Sequence, residues 1–190
     1  MAGPPAFPWV YPYIEERRVA GSEFLVKPLL RPMVIVRLEG DRLGSHNVVA
    51  LVDSGADHIL VSPWIAQDIG VTPDPNRSIM SRIGGDTRPV RFADVRVILA
   101  PPDVEIDAGG FDRDRSYEWD AQVGFFTSWA SPPWSVVLGQ IGFFDRFTVT
   151  MNRESQALAI TAVEDFDDRY PQPPRTAALP PTRRPRLLPP

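Results

Sequence analysis

The chain has 190 residues, 43% of them hydrophobic, which is the length of one domain with enough apolar side chains for one ordinary core. Its formal net charge is −4 and its arginines are scattered along the part expected to fold, so the composition does not favour a nucleic-acid partner. It has no cysteine, which excludes disulfides, thiolate zinc sites and a cysteine nucleophile.

The remaining composition gives expectations about metals, membranes and location. The histidines, His46 and His58, lack the spacing of metal ligands, so we expect no metal. The first residues show neither the basic start nor the apolar core of a signal peptide, and no window is apolar for long enough to span a bilayer. We therefore expect a cytoplasmic protein with no membrane partner. Lys27 is the single lysine among 20 basic residues, which indicates a GC-rich coding sequence and favours a bacterial source.

The sequence divides into three parts by composition. Residues 1–32 form a proline- and aromatic-rich N-terminal arm, residues 33–163 the folded domain, and residues 164–190 a proline-rich, disordered C-terminal tail. Proline removes backbone donors, so neither the arm nor the tail is expected to contain strands. The aromatic side chains of the arm are expected to pack on their own domain, with a second subunit or a cleft as the alternatives: Phe7, Trp9, Tyr11 and Tyr13.

The domain is predicted to begin with a β-hairpin that ends in an acidic loop. Residues 33–38 and 47–52 have the composition of strands, with a glycine-bearing turn between them. The second strand ends at Asp53, which Ser54 and Gly55 follow. Burying an unpaired carboxylate directly after an apolar strand is costly, so Asp53 is either paired or used in chemistry. The alternative is a strand-terminating turn that reflects the ordinary preferences of Asp, Ser and Gly.

The segment after this loop is predicted to hold a strand and a short helix. Residues 57–62 continue as the strand, and Ser62 is expected to cap a helix over residues 64–69, with proline in its first turn. Gly70 is expected to end that helix.

The middle of the chain predicts a second hairpin, a strand and a loop. Residues 79–90 form the hairpin, and the Gly84-Gly85 pair at its tip is either a simple turn or the flexible end of a lid. Residues 90–99 alternate apolar and polar side chains, with a break at Ala93-Asp94 that predicts a bulge. Residues 101–116 lack periodicity and are expected to form a solvated insertion loop, because their acids lack the spacing of a calcium loop.

The C-terminal part of the domain is predicted to hold a strand, a loop, a helix and a hairpin. Residues 119–126 form the strand, and the loop after it carries Trp129 and Trp134, which are large side chains to leave in water. The helix is expected over residues 140–146, with Ile141, Phe143 or Phe144, and Phe147 buried, and the hairpin pairs residues 148–151 with residues 157–160.

Three motifs together resemble the retropepsin-like, or retroviral-type, family of aspartic peptidases, in a bacterial-type member. They are Asp53-Ser54-Gly55-Ala56, Arg82-Ile83-Gly84-Gly85 and the segment 134–147, and the resemblance covers roughly residues 33–162. It implies an all-β fold: a closed barrel with one short helix near the C-terminal end. The protein would act as a homodimer. The loop with the two tryptophans would then lie near the cleft.

The resemblance also implies roles for individual residues. Asp53 would be catalytic, and Ser54, Gly55 and Ala56 would complete the active-site loop. The residues that would bind substrate are Asp57, Ile83, Gly84, Gly85 and Val137, with His58 a weaker candidate. Arg82 stands where the family often has a glycine. Gln140 stands where viral members carry an arginine that pairs with the acid matching Asp57.

The sequence holds one Asp-Ser-Gly, whereas this kind of peptide hydrolysis uses two carboxylates. The resemblance therefore implies an aspartic endopeptidase that activates water between the Asp53 carboxylates of a homodimer and needs no metal or organic cofactor. Its substrate would be a protein or peptide, with an apolar-leaning preference. The alternative is a catalytically inactive peptide-binding or dimerisation module of the same fold, since fold does not guarantee activity. A weaker alternative is a scaffold whose tails recruit partners.

Overall fold

The computed structural model describes residues 7–15, 29–40, 47–83, 85–104, 112–128 and 134–163. Several predictions fall outside these ranges: the C-terminal tail, the part of the insertion loop over residues 105–111, and the positions of His46, Gly84 and Trp129. Among the described residues, no helix combines the length and the hydropathy needed to cross a membrane.

The described residues are mostly β-structure, as predicted. The strands are β1 (Trp9–Pro12), β2 (Ile14–Glu15), β3 (Leu30–Arg31), β4 (Met33–Glu39), β5 (Val48–Val52), β6 (Leu60–Val61), β7 (Asp74–Ile83), β8 (Asp86–Leu99), β9 (Tyr117–Phe126), β10 (Val136–Leu138), β11 (Phe147–Asn152) and β12 (Ala157–Ala162). A short α-helix, α1 (Pro63–Asp68), and a 3₁₀ helix (Arg113–Arg115) complete them.

The largest sheet has seven strands in the order β4-β5-β10-β6-β9-β8-β7. Strand β4 also pairs with β8, through Val36 to Glu39 and Leu99 to Arg96. The first strand of the order therefore meets the sixth. Strand β7 lies outside this ring and, among the described strands, pairs with β8 alone. A ring of pairings is what a closed barrel requires, and the barrel itself stays a prediction.

Two clusters of buried side chains lie on opposite faces of β8. The larger one is the main core, and Ala93, Val95 and Val97 of β8 belong to it. The smaller one contains Leu60, Val90, Phe92, Phe126 and Val137. Both faces of β8 are thus covered by apolar side chains along part of its length.

The bulge predicted at Ala93-Asp94 was wrong. The register of β8 against β9 continues without a shift, with Phe92 opposite Gly124 and Ala93 opposite Val123. Phe92 and Ala93 are both apolar because one faces the smaller cluster and the other the main core, which breaks the sequence alternation without breaking the strand. The irregularity lies instead in β7, between Asp74 and Ser78.

Helix α1 has the predicted place, with a different start. Ser62 makes no side-chain capping bond. Its hydroxyl donates instead to the carbonyl of Trp134, at 3.4 Å. The helix begins at Pro63, a position where the backbone N–H of a helix has no partner to bond, so the missing donor of proline costs nothing. Gly70 follows the end of the helix with a φ of 72°, a conformation that glycine adopts readily. The helix buries Ile65 and Ala66 against the main core.

The helix predicted over residues 140–146 was wrong. These residues form turns, with Gly142 at a φ of 97° that interrupts any helix, and the Gly142 N–H donates to the Asp145 carboxylate at 3.2 Å. Phe143 and Phe147 are buried as expected, whereas Ile141 is 51% exposed. The predicted short helix near the C-terminal end is therefore absent from this segment, and the α-helix of the described chain is α1.

The N-terminal arm contains strands, contrary to the expectation from its prolines. Strand β1 pairs antiparallel with β12, with Trp9 opposite Ile160 and Pro12 opposite Ala157. Because β1 is an edge strand of the sheet β1-β12-β11, a proline at its end removes no essential ladder donor. The domain boundary predicted at residue 33 stays a prediction, with β1 on its N-terminal side.

The aromatic side chains of the arm pack on their own domain, as expected. Trp9 and Tyr11 are buried in the main core, and the Tyr11 hydroxyl donates to the carbonyl oxygen of Ala100 at 2.7 Å. Burial raises the pKa of the Tyr11 hydroxyl, so this group remains a neutral donor. The bond connects the arm to the end of β8, 89 residues away in the chain.

We expect Tyr11→Phe to lower the free energy of unfolding by about 1 kcal/mol, because it leaves the Ala100 carbonyl without this buried donor. The measurement is equilibrium unfolding in urea. Val10→Thr, at a position that is 53% exposed on the same strand, is the control and should change stability much less. Equal stabilities of the Tyr11→Phe variant and the unaltered chain would show that the arm is not held by this bond.

Candidate active site

Asp53 lies where β5 ends between two neighbouring strands. Strand β5 pairs antiparallel with β4 and parallel with β10, which carries the chain to Asp53 beside the end of β10. The Asp53 N–H donates to the Leu138 carbonyl at 3.0 Å. Both the strand direction and the position of the acid are therefore fixed by backbone bonds.

The loop after Asp53 is held by two hydrogen bonds back to Asp53. The Asp53 carboxylate accepts a hydrogen bond from the Gly55 N–H at 2.9 Å, and the Ala56 N–H donates to the Asp53 carbonyl at 3.2 Å. Asp53 is half-buried, and among the described residues its carboxylate forms no ion pair. The bond from Gly55 fixes the orientation of the carboxylate while leaving it available for other partners.

The segment after β10 supports this loop from the other side. The Gln140 N–H donates to the Ala56 carbonyl at 2.8 Å, and the Ile141 N–H donates to the Asp57 carbonyl at 2.9 Å. His58 and Ile141 also form an isolated parallel bridge. Backbone bonds therefore join residues 53–58 to residues 138–141 at Asp53, Ala56 and Asp57.

The side chain of Gln140 adds one more bond to the same loop. Its amide nitrogen donates to the Ser54 carbonyl at 2.7 Å. In the resemblance described above, this position carries an arginine that pairs with an acid. Here the uncharged side chain of Gln140 binds the Asp53 loop of its own chain through a backbone carbonyl, and an uncharged side chain cannot form an ion pair with Asp57.

Gly139 stands where the two segments come closest. A Cβ atom at this position would overlap the carbonyl oxygens of Ala56 and His58, which are backbone atoms of the opposing loop. Backbone this close admits only glycine. The approach of the two segments therefore depends on the missing side chain of Gly139.

A cavity of about 550 Å³ opens beside Asp53. One wall comes from the active-site loop and the strand after it, and the other comes from the hairpin of β7 and β8. The lining residues are Asp53, Gly55, Ala56, Asp57, His58, Leu60, Ile79, Met80, Ser81, Arg82, Asp86, Trp134 and Val137. It is large enough for a peptide segment, within the range of ordinary ligand sites.

The structure brings together part of the predicted site. Asp53, Gly55, Ala56, Asp57 and Val137 line one cavity, together with His58 and Trp134, which were the weaker candidates. The predicted residues Ser54 and Gly85 do not line this cavity. Gly84 and the side chain of Ile83 are outside the part of the chain that the structure describes.

Several lining residues were missed from the sequence. Met80, Ser81 and Asp86 come from the hairpin, whose register pairs Met80 with Pro89 and Ile83 with Asp86. The hairpin itself was predicted, and extending its pairing outward from the Gly84-Gly85 tip would have pointed to these positions. Leu60 was read only as a strand residue, although that strand leads directly out of the active-site loop.

The floor of the cavity is apolar and continuous with the smaller cluster. Leu60 and Val137 belong to that cluster, and Ala56 and Trp134 pack against it. The ring of His58 packs edge-on against Phe92, with ring centroids 5.0 Å apart. Among the described residues, no group of three or more potential metal-binding side chains occurs. The arrangement offers carboxylates above an apolar floor.

Gly139→Ala should destabilise the protein by about 1–3 kcal/mol and displace the loop that carries Asp53, because the new methyl group meets backbone that cannot move aside cheaply. Thermal or urea unfolding measures the change. Gln140→Ala, which removes only one exposed side-chain bond, is the comparison and should cost less. The close approach would be disproved if the Gly139→Ala variant were as stable as the unaltered chain.

Comparison with known proteins gives one match to a protein family. The family model described as aspartyl protease matches residues 34–106, a range that includes the active-site loop and the hairpin. No curated protein matches the chain. Among solved structures, a retropepsin-like aspartic protease from Rickettsia conorii aligns with 82% of this chain and 99% of its own, at 11% sequence identity and a TM-score of 0.43. Asp53 and its loop lie inside the matched range, so this part of the chain is similar to the aspartyl protease family, which supports the predicted resemblance to the retropepsin-like aspartic peptidases.

Proposed function

We propose that the chain is an aspartic endopeptidase that hydrolyses peptide bonds with Asp53. The observation that carries the proposal is the position of Asp53, held by backbone bonds at the edge of a cavity of about 550 Å³ on a loop within the aspartyl protease match. A peptide can reach the carboxylate, and an apolar floor lies beside it.

The chemistry needs a second carboxylate, which we propose comes from Asp53 of a second copy. The sequence contains a single Asp-Ser-Gly, so one chain supplies one such acid. Two carboxylates in close proximity cannot both ionise cheaply. They therefore share one proton, as is known for the aspartic protease dyad. A symmetric homodimer with the two Asp53 loops facing each other provides this arrangement.

In the proposed mechanism the ionised carboxylate takes a proton from a bound water, and this water attacks the scissile carbonyl carbon. The protonated carboxylate donates its proton to the carbonyl oxygen as the tetrahedral intermediate forms. The C–N bond of the intermediate then breaks, while the carboxyl group that took the proton of the water gives it to the leaving amine nitrogen. The other carboxylate takes back a proton from a hydroxyl of the intermediate, which restores the starting pair. The Gly55 N–H, which bonds Asp53 at 2.9 Å, keeps the carboxylate oriented through this exchange. No metal or organic cofactor takes part.

We propose that the hairpin of β7 and β8 acts as a flap over an extended substrate. Of the strands that the structure describes, β8 is the one that pairs with β7. Ile79 and Met80 of β7 line the cavity and are 40% and 64% exposed. An extended peptide can bond to such backbone and place apolar side chains against these residues. Gly85, with a φ of 96° at the tip, lets the turn adopt a backbone that other residues resist.

Asp53→Asn should abolish peptide cleavage and leave the chain folded, because the amide keeps the shape of the side chain and loses the ability to exchange the proton. The measurement is the appearance of new termini in a diverse peptide mixture between about pH 4 and 7, with circular dichroism as the check on folding. Asp120→Asn is the matched control, since Asp120 is exposed and lies outside the cavity, and it should cleave normally.

Equal cleavage by the Asp53→Asn variant and the unaltered protein would refute the mechanism. Peptide binding without new termini in the unaltered protein would favour the inactive peptide-binding module instead.

The homodimer predicts a solution mass of about twice the chain mass of 21.2 kDa for active protein. Sedimentation or light scattering over a dilution series should show activity per chain falling as the dimer dissociates, since each site needs two chains. Shortened chains for this experiment must keep Trp9 and Tyr11, which are part of the core. Full activity per chain in a strictly monomeric sample would contradict the proposal.

A further inference from the structure

Arg82 lines the cavity and has no role in the proposed mechanism. It lies on β7 opposite Thr87, close to the tip of the hairpin, and its side chain is exposed. In the resembled family this position is often a glycine. A long cationic side chain in its place changes the charge that a bound peptide meets.

The charged residues that line the cavity lie on its two walls, the active-site loop and the hairpin. Asp53 and Asp57 belong to the active-site loop, whereas Arg82 and Asp86 belong to the hairpin. The Asp86 carboxylate is paired with the Arg88 guanidinium at 3.1 Å, which compensates its charge. Within the described part of the chain, Arg82 forms no ion pair. The hairpin wall therefore presents one uncompensated positive charge, and the loop wall presents carboxylates.

An extended peptide between these walls directs successive side chains to opposite sides. A side chain directed to the loop meets Asp57, and one directed to the hairpin meets Arg82. A guanidinium offers a planar fork of donors that binds a carboxylate through two parallel hydrogen bonds. The apolar neighbours Ile79 and Met80 provide no competing acceptor from their side chains.

We infer, on the basis of the proposed function, that Arg82 selects an acidic side chain, Asp or Glu, at the peptide position that faces the hairpin. In the proposed homodimer the second hairpin repeats this preference at the symmetry-related position on the other side of the scissile bond. The remaining positions keep an apolar preference set by the cavity floor.

The test uses full-length protein with Asp53→Asn, so that peptides bind without being cut. Peptides that carry Glu, Gln or Lys at each position in turn are titrated by fluorescence anisotropy. We expect Glu to bind about fivefold more tightly than Gln at one position or at its symmetry-related pair, as for an exposed ion pair in good geometry. In the Asp53→Asn protein, the further substitution Arg82→Gln should remove the preference for Glu. Arg82→Glu in the same background should make peptides with Lys bind more tightly than those with Glu.

Arg91→Gln in the same Asp53→Asn protein is the control, because Arg91 is an exposed arginine of β8 that does not line the cavity. It removes the same charge and should keep the preference for Glu. The inference is overturned if Glu is not preferred at any position, if Arg91→Gln reduces the preference as much as Arg82→Gln does, or if no peptide binds.

A cleavage assay in protein that retains Asp53 separates this inference from the proposed function. The ratio of kcat/KM for Glu and Gln peptides should fall toward one in Arg82→Gln, with cleavage of apolar peptides retained. If no peptide is cleaved but the binding preference depends on Arg82, the proposed function fails and the assignment of Arg82 stands.

Discussion

The backbone contact between the Asp53 loop and the segment after β10 is the constraint on which the site depends. Bonds from Asp53 to Leu138, from Gln140 to Ala56 and from Ile141 to Asp57 join two segments that are more than 80 residues apart in the chain. Gly139 permits this contact because it has no side chain. An acid held by backbone bonds is fixed in position, which is the preorganisation that the proposed water activation requires.

Strand β8 connects this site to the rest of the molecule. One of its faces belongs to the main core, and the other carries Val90 and Phe92 into the smaller cluster beneath the cavity. Its first half also forms the hairpin wall through pairing with β7. The stability of the domain and the shape of the cavity therefore share one strand, so a change that loosens β8 affects both.

The sequence predicted most of what local patterns determine. The strands around Asp53, the helix near Ser62 and the hairpin tipped by Gly84-Gly85 follow from alternation and turn residues. The failures have a tertiary cause. Strand β8 has apolar residues on both faces, which the alternation pattern interpreted as a bulge. Residues 140–146 were predicted to be a helix, but the bonds of Gln140 and Ile141 to a distant loop determine their conformation. The lining residues Met80 and Asp86 depend on hairpin register, which composition alone does not fix.

The pairing of β1 with β12 has a consequence for how the protein forms during synthesis. Trp9 lies opposite Ile160, so β1 can pair with β12 only after the long stretch of chain between them has been made. Until then Trp9 and Tyr11 have no complete core to enter, although both are buried in the finished protein. Contacts between residues so distant in the chain form slowly, because a long loop must close before they stabilise anything. The β1–β12 pairing is therefore a contact that can form only after the residues between the two strands have been synthesised.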